Sequence, residues 1–115
     1  MINLDKSLKW HPVCTVDDIA RGGGVAVLVS GLQIAVFHTD AGQFHALDNR
    51  DPYTGTNVIS RGILGSKSGV ATISSPMLKH AFALETGESL DNPVVGLATY
   101  PIRINSGMIE IGSTP

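Results

Sequence analysis

The sequence predicts an all-β fold, an antiparallel β-sandwich or barrel, and three observations predict it. Short apolar segments rich in Val, Ile, Phe and Tyr recur between clusters of Gly, Asn, Asp, Ser and Pro. No segment sustains an apolar period of 3.6 residues over three turns. Several connections carry the turn chemistry of hairpins, with Gly where a positive φ is needed. At 115 residues, 43% hydrophobic and 16% charged, the chain has apolar material for one core and too little charge for disorder. Residues 1–115 are therefore expected to form a single domain, its core over about 10–112.

In chain order, Val16-Asp17-Asp18-Ile19-Ala20 allows a short helical turn. Gly22-Gly23-Gly24 precedes an apolar run and reads as a turn, because the strand-then-helix context of a phosphate loop is missing. Val25–Val29 and Leu32–His38 flank Ser30-Gly31, a two-residue connection suited to a tight hairpin, and Asp40-Ala41-Gly42-Gln43 leads into a third strand at Phe44–Asp48. Residues 49–68 are poor in strand signal and read as a loop, as does Ser75-Pro76-Met77. Long ordered loops in a small domain point to function. Between them Gly69–Ser74 reads as a strand whose buried face is open, since Val70 and Ile73 fall on opposite parities. Leu78–Leu84 and the turn Glu85-Thr86-Gly87-Glu88 suggest a further hairpin, with Gly87 left-handed. Leu97–Ile104 and Met108–Ile111 close the fold over Asn105-Ser106-Gly107, and Pro101 places an edge or bulge in the first of them.

Several functional classes are excluded. A net charge of -2, a pI near 6.0 and scattered Lys and Arg leave no footprint for nucleic acid. No apolar run approaches the roughly 18–20 residues of a membrane helix. Met1–Lys6 has neither the basic start nor the apolar core of a signal peptide, so a cytoplasmic location is expected. Cys14 is the only cysteine, which excludes an internal disulfide or a CxxC pair and reads as a small apolar residue. Gly62-Ile63-Leu64-Gly65-Ser66-Lys67-Ser68 lacks the Gly-Lys junction of a P-loop. His11, His38, His45 and His80 show no i, i+4 pair and no neighbouring Cys, so zinc is unsupported. His38 and His45 could face each other across a hairpin, although exposed strand histidines are the simpler reading. No nucleophile elbow occurs, and residue types alone define no active site.

Two stretches read together are more specific: Ala46-Leu47-Asp48-Asn49-Arg50-Asp51-Pro52-Tyr53-Thr54-Gly55, and Ser75-Pro76-Met77-Leu78-Lys79-His80-Ala81-Phe82-Ala83-Leu84-Glu85-Thr86-Gly87-Glu88. They resemble the two cluster-binding loops of Rieske ferredoxins, which read Ala-Leu-Asp, a spacer and Cys-Pro-His-x-Gly, then Cys-Pro-x-His-Gly and Phe-Asp-Leu-x-Thr-Gly. The resemblance implies a Rieske-like fold with a cluster-binding-type subdomain. It sets Asp51 and Ser75 where the family has Cys, and Tyr53 and Leu78 where it has His. A Rieske centre needs two thiolates on one iron and two imidazoles on the other. The oxygens of Asp51, Tyr53 and Ser75 suit other metals, and Leu78 has no donor atom. The subdomain is thus expected to be empty, with no catalytic, metal-ligating or cofactor-binding residue. Using His80 in place of Leu78 would break the match from Phe82 to Gly87. Pro52, Tyr53, Met77 and Leu78 are expected to fill the space between the loops.

A wider set of features extends the resemblance over about Trp10 to Gly112. Trp10 with Val13-Cys14, Asn49–Gly55, Ile59–Gly65, Ser75–His80 and Tyr100-Pro101-Ile102-Arg103 resemble the small-subunit family of assimilatory NAD(P)H-dependent nitrite reductases. This implies an accessory subunit, inactive alone, of an enzyme that reduces nitrite to ammonia. The implied partner is the large subunit, which carries FAD, siroheme and an iron–sulfur cluster. Arg50, Asp51, Tyr53, Lys79 and His80, at or beside the loop tips, are the expected docking residues. A cluster-free Rieske-like interaction module of another oxidoreductase or oxygenase is the open alternative.

Overall fold

The run Ile34-Ala35-Val36-Phe37 does not alternate between apolar and polar, and its placement explains why: all four residues are buried, on both faces of one sheet. Ile34 and Val36 join one apolar cluster with Ile19, Val29, Ala46, Ile109 and Ile111. Ala35 and Phe37 join another with Leu47, Ile59, Ile73, Phe82, Leu84 and Leu97. The computed structural model of the chain describes residues 8–114, so the reading of Met1–Lys6 lies outside the described residues.

The strands are β1 (Lys9–Thr15), β2 (Gly23–Val29), β3 (Leu32–His38), β4 (Phe44–Asp48), β5 (Ile63–Lys67), β6 (Val70–Ser74), β7 (Ala81–Ala83), β8 (Thr99–Tyr100), β9 (Ile102–Asn105) and β10 (Met108–Ser113). They form three antiparallel sheets, in the orders β2-β3-β4-β8, β1-β10-β9 and β5-β6-β7. The first is the middle layer, since β3 and β4 send alternate residues into the two clusters. The only helical elements described are 3-10 turns at Val16–Asp18 and Ile59–Arg61, and no described helix is long and apolar enough to cross a membrane.

The expected hairpin at Ser30-Gly31 is present, both residues having positive φ as a two-residue hairpin turn requires. Gly87 has a φ of 78° and a Cβ there would collide with the Leu97 carbonyl, so only Gly fits. Pro101 interrupts the predicted segment Leu97–Ile104, and the chain changes sheets there: β8 is the edge of the middle layer and β9 the edge of its neighbour. A Pro without a backbone N–H is suited to such a junction.

Other expectations need correction. Residues 49–68 contain strand β5, which at the edge of its sheet buries little beyond part of Leu64 and so lacks an apolar signature. Strand β1 carries no strand signature in the sequence, because Pro12 and a register shift between Pro12 and Cys14 spoil its alternation. The segment Leu78–Leu84 is strand only over Ala81–Ala83. His38 and His45 do not meet: the register pairs Phe37 with His45 and His38 with Phe44, and successive pairs point to opposite faces. His38 instead stacks on Phe44 at 4.1 Å, with Nδ1 2.9 Å from the Ile19 carbonyl.

Candidate functional site

The two loops singled out by sequence leave strands of two different sheets, β4 and β6, and meet each other. The first follows β4 and folds back on itself: the Asp51 amide donates to the Thr56 carbonyl (2.8 Å), and the Gly55 amide to that of Asp51 (2.7 Å). Behind it the buried Asn49 side chain accepts from the Ser60 amide (2.7 Å) and donates to Gln33 Oε1 (3.0 Å). The second loop follows β6 and is closed by the Ser75 amide donating to the His80 carbonyl (2.9 Å). Its reversal leaves Leu78 and Lys79 with φ of 61° and 56°. Two successive left-handed residues other than Gly are sterically costly, the more so for a Leu.

One hydrogen bond joins the loops. The Ser75 hydroxyl donates to Asp51 Oδ2 (2.5 Å), while Oδ1 accepts the Tyr53 amide (2.8 Å) and Ser75 Oγ accepts the Met77 amide (3.1 Å). Asp51 and Ser75 are 0% and 1% exposed. The pairing obeys the rule that a buried charged group must be hydrogen-bonded. The Tyr53 ring stacks on His80 with centroids 3.7 Å apart, and its hydroxyl is hydrogen-bonded to Ser89 Oγ at 2.7 Å. Asp91 completes the arrangement by accepting from the Ala81 amide (3.1 Å) and lying 3.4 Å from His80 Nδ1. The hydrogen bond from the Ala81 amide holds the Asp91 carboxyl below its ordinary pKa against the opposing effect of desolvation, with smaller help from His80 and Lys67.

This geometry revises the expected contents of the tip. Asp51 is interior and lines no surface, whereas Arg50 and Lys79 are exposed and His80 is partly so. Of the four residues expected to fill the space between the loops, only Tyr53 packs inward; Pro52 is exposed, and Met77 and Leu78 are 40% and 73% exposed. The space is closed by the Asp51–Ser75 bond, and the left-handed backbone of the second loop presents Leu78 to solvent. Ser89 and Asp91 belong to the site but carry no local sequence signal, being brought to it by the chain path after Leu84.

As a donor set these residues do not fit a [2Fe–2S] cluster. Both Asp51 oxygens and the Ser75 hydroxyl are already engaged, Leu78 offers nothing, and Tyr53 directs its hydroxyl to Ser89. Cys14 is remote, on β1 against the other apolar cluster, its thiol pKa raised by burial and then by Asp18. Among the described residues no three His, Cys, Asp or Glu side chains are grouped to hold a metal. At the start of β4 a separate cleft of about 480 Å³ is lined by Gly42, Phe44, His45, Glu85 and Ile102. Burial lowers the His45 pKa there against the opposing effect of Glu85, and Nε2 is buried without a partner.

The middle layer flanked by two small sheets, with paired loops at one end, is the arrangement of a known domain class. The Rieske-like [2Fe-2S] domain model matches residues 9–112, and the chain belongs to that family. Within it, the chain is 32% identical over 106 residues to the nitrite reductase (NADH) small subunit of Salmonella typhimurium, covering 90% of this chain and 96% of that one. A crystal structure from Mycobacterium tuberculosis, of a protein assigned as an NADH-dependent nitrite reductase small subunit, superposes with a TM-score of 0.90 at 42% identity, covering 94% of this chain and 97% of that one. The nitrite reductase [NAD(P)H] large subunit of Klebsiella oxytoca also contains a similar stretch, 31% identical over 107 residues, covering 93% of this chain but 11% of that protein.

Proposed function

We propose that this chain, as one Rieske-like domain, is the cytoplasmic small accessory subunit of an NAD(P)H-dependent assimilatory nitrite reductase. It carries no cofactor of its own and catalyses nothing alone; FAD, siroheme and an iron–sulfur cluster reside on the large subunit, which reduces nitrite to ammonia. The observation that carries this reading is the Asp51–Ser75 bond. Where the Rieske pattern has two thiolates, this chain joins its loops with a carboxylate and a hydroxyl, while similarity to nitrite reductase small subunits extends over most of its length. The Klebsiella large subunit supports the choice of partner, because a stretch like this one occurs there within the large chain itself. A domain without redox chemistry contributes by binding, stabilising its partner or completing its assembly.

The test is a tagged pull-down from native cells grown on nitrite, with NADH oxidation assayed with and without nitrite and iron measured on the purified chain. Recovery of a siroheme-containing partner with nitrite-dependent activity, and an iron-free small chain, is expected. Recovery of another oxidoreductase would move the chain to the alternative role of interaction module. Stoichiometric iron on the isolated chain would refute the cofactor reading.

A further inference from the structure

The sheet edges among the described strands are not alike. β1 carries Lys9, Pro12 and a register shift, β9 carries Arg103 just past Pro101, β5 carries Lys67, and β7 and β8 are three and two residues long. Each of these features keeps an edge from pairing with a strand of another molecule. Edge strand β2 has none of them. It pairs with β3 over seven residues without a register shift, holds no Pro, and lies in a run from Gly22 to Phe37 that contains no Lys, Arg, Asp or Glu.

The register shows which backbone groups of β2 are unused. The two-residue turn Ser30-Gly31 closes on the pair Val29–Leu32, so Val29, Val27 and Val25 direct their amides and carbonyls to β3. Ala26 and Leu28, alternating with them, direct theirs away from β3, and neither has a backbone partner on that side among the described residues. Both residues are exposed, Leu28 to 67%. The strand itself is held in place, because Val25, Val27 and Val29 pack with Ile34 and Ile111. Its outer side is therefore a fixed, uncharged template of amides and carbonyls, and the chemistry that fits such a template is another extended strand.

A second copy of the chain supplies that strand. Two β2 strands meet without like-charge repulsion, and their antiparallel pairing about Val27 is self-complementary. It sets Leu28 of one copy opposite Ala26 of the other, large against small, and Val25 opposite Val29. The amides and carbonyls that face away from β3, those of Ala26 and Leu28, then exchange hydrogen bonds across the two-fold axis. We propose that β2 is a dimerisation edge: two copies of the chain pair through Ala26 and Leu28 about an axis at Val27, joining their middle layers into one continuous sheet. The pairing does not depend on which enzyme the chain serves.

Sedimentation equilibrium of the full chain over about 1–100 μM should show a monomer–dimer equilibrium with a Kd in that range. Leu28→Lys places a cation on each side of the axis and should weaken Kd by about tenfold or more, while the exposure of the side chain leaves the fold intact. Ala26→Pro removes an amide that β3 does not use and should weaken Kd by a similar factor, with the β signature in circular dichroism retained. Ile63→Lys, at a residue 76% exposed on edge strand β5, should leave Kd unchanged. Hydrogen exchange of the Ala26 and Leu28 amides should slow as the concentration of the unmodified chain rises. A chain that stays monomeric throughout, or a dimer that Leu28→Lys does not weaken, would overturn the proposal. A chain that is monomeric alone but loses binding to the purified large subunit in Leu28→Lys would assign the edge to that partner and likewise overturn the dimer.

Discussion

The middle layer and the loop tip each contain fully buried groups, but they are held by different forces. Around β3, Phe37 and Ile34 are 0% and 1% exposed and face apolar neighbours contributed by all three sheets. That stabilisation is non-directional and shared among many residues. At the tip the buried groups are Asp51, Ser75 and Ser89, each satisfied by specific partners at fixed distances. Such networks are sensitive to geometry, and removal of one member strands the others. The sheets are thus held by apolar packing, whereas the two loops are joined by a polar bond between Asp51 and Ser75.

The largest test of the comparison is Phe37→Ala, expected to cost about 3–5 kcal/mol by urea denaturation with an unchanged m-value, since a large side chain leaves a cavity between two layers. A loss below about 1 kcal/mol would mean that the middle layer is not the centre of stability. Next is Asp51→Ala, which deprives the buried Ser75 hydroxyl and the Tyr53 amide of their acceptor and should cost about 1–3 kcal/mol. Hydrogen exchange should accelerate over residues 51–56 and 75–80 while β3 amides stay protected; acceleration in β3 as well would show that the two regions are not separable.

Smaller effects sharpen the boundary. Because the folded Asp91 pKa lies below its ordinary value, its contribution is complete above about pH 3.9 and is lost as pH falls through the lower folded value. Protection of the Ala81 amide should decline over that range, and Asp91→Asn should abolish the pH dependence; a profile unaltered by the substitution would reject the carboxylate as its origin. The smallest expected effect is that of Leu78→Asp. With the side chain already 73% exposed, stability should stay within about 0.5 kcal/mol, and Asp tolerates the left-handed backbone better than Leu. A larger loss would show that Leu78 packs after all.

Legibility followed the range of the interaction. Local turn chemistry was readable: Ser30-Gly31, Asn105-Ser106-Gly107 and Gly87 turn as their residue types demand. Strand β5 is not legible because an edge strand with little burial carries no apolar pattern, nor is β1, where Pro12 and a register shift disrupt one. In the tip, weak strand signal and the resemblance to Rieske loops pick out the two loops, with Pro52, Tyr53, Met77 and Leu78 as the expected filling, of which only Tyr53 packs inward. The structure gives that interior to Asp51 and Ser75, since the hydrogen-bond partner of each comes from the other loop and local hydrophobicity contains no trace of it.

The all-β class, the main hairpins and the absence of cysteine from both loops are legible in residue identity or in a few adjacent φ and ψ angles. The meeting of Ser75 with Asp51 across 24 residues, that of Tyr53 with Ser89 across 36, and the exposure of Leu78 arise from the packing of the whole chain. A directional bond between distant residues exists only once the sheets have set where each loop begins, and that placement is a property of the whole packed chain.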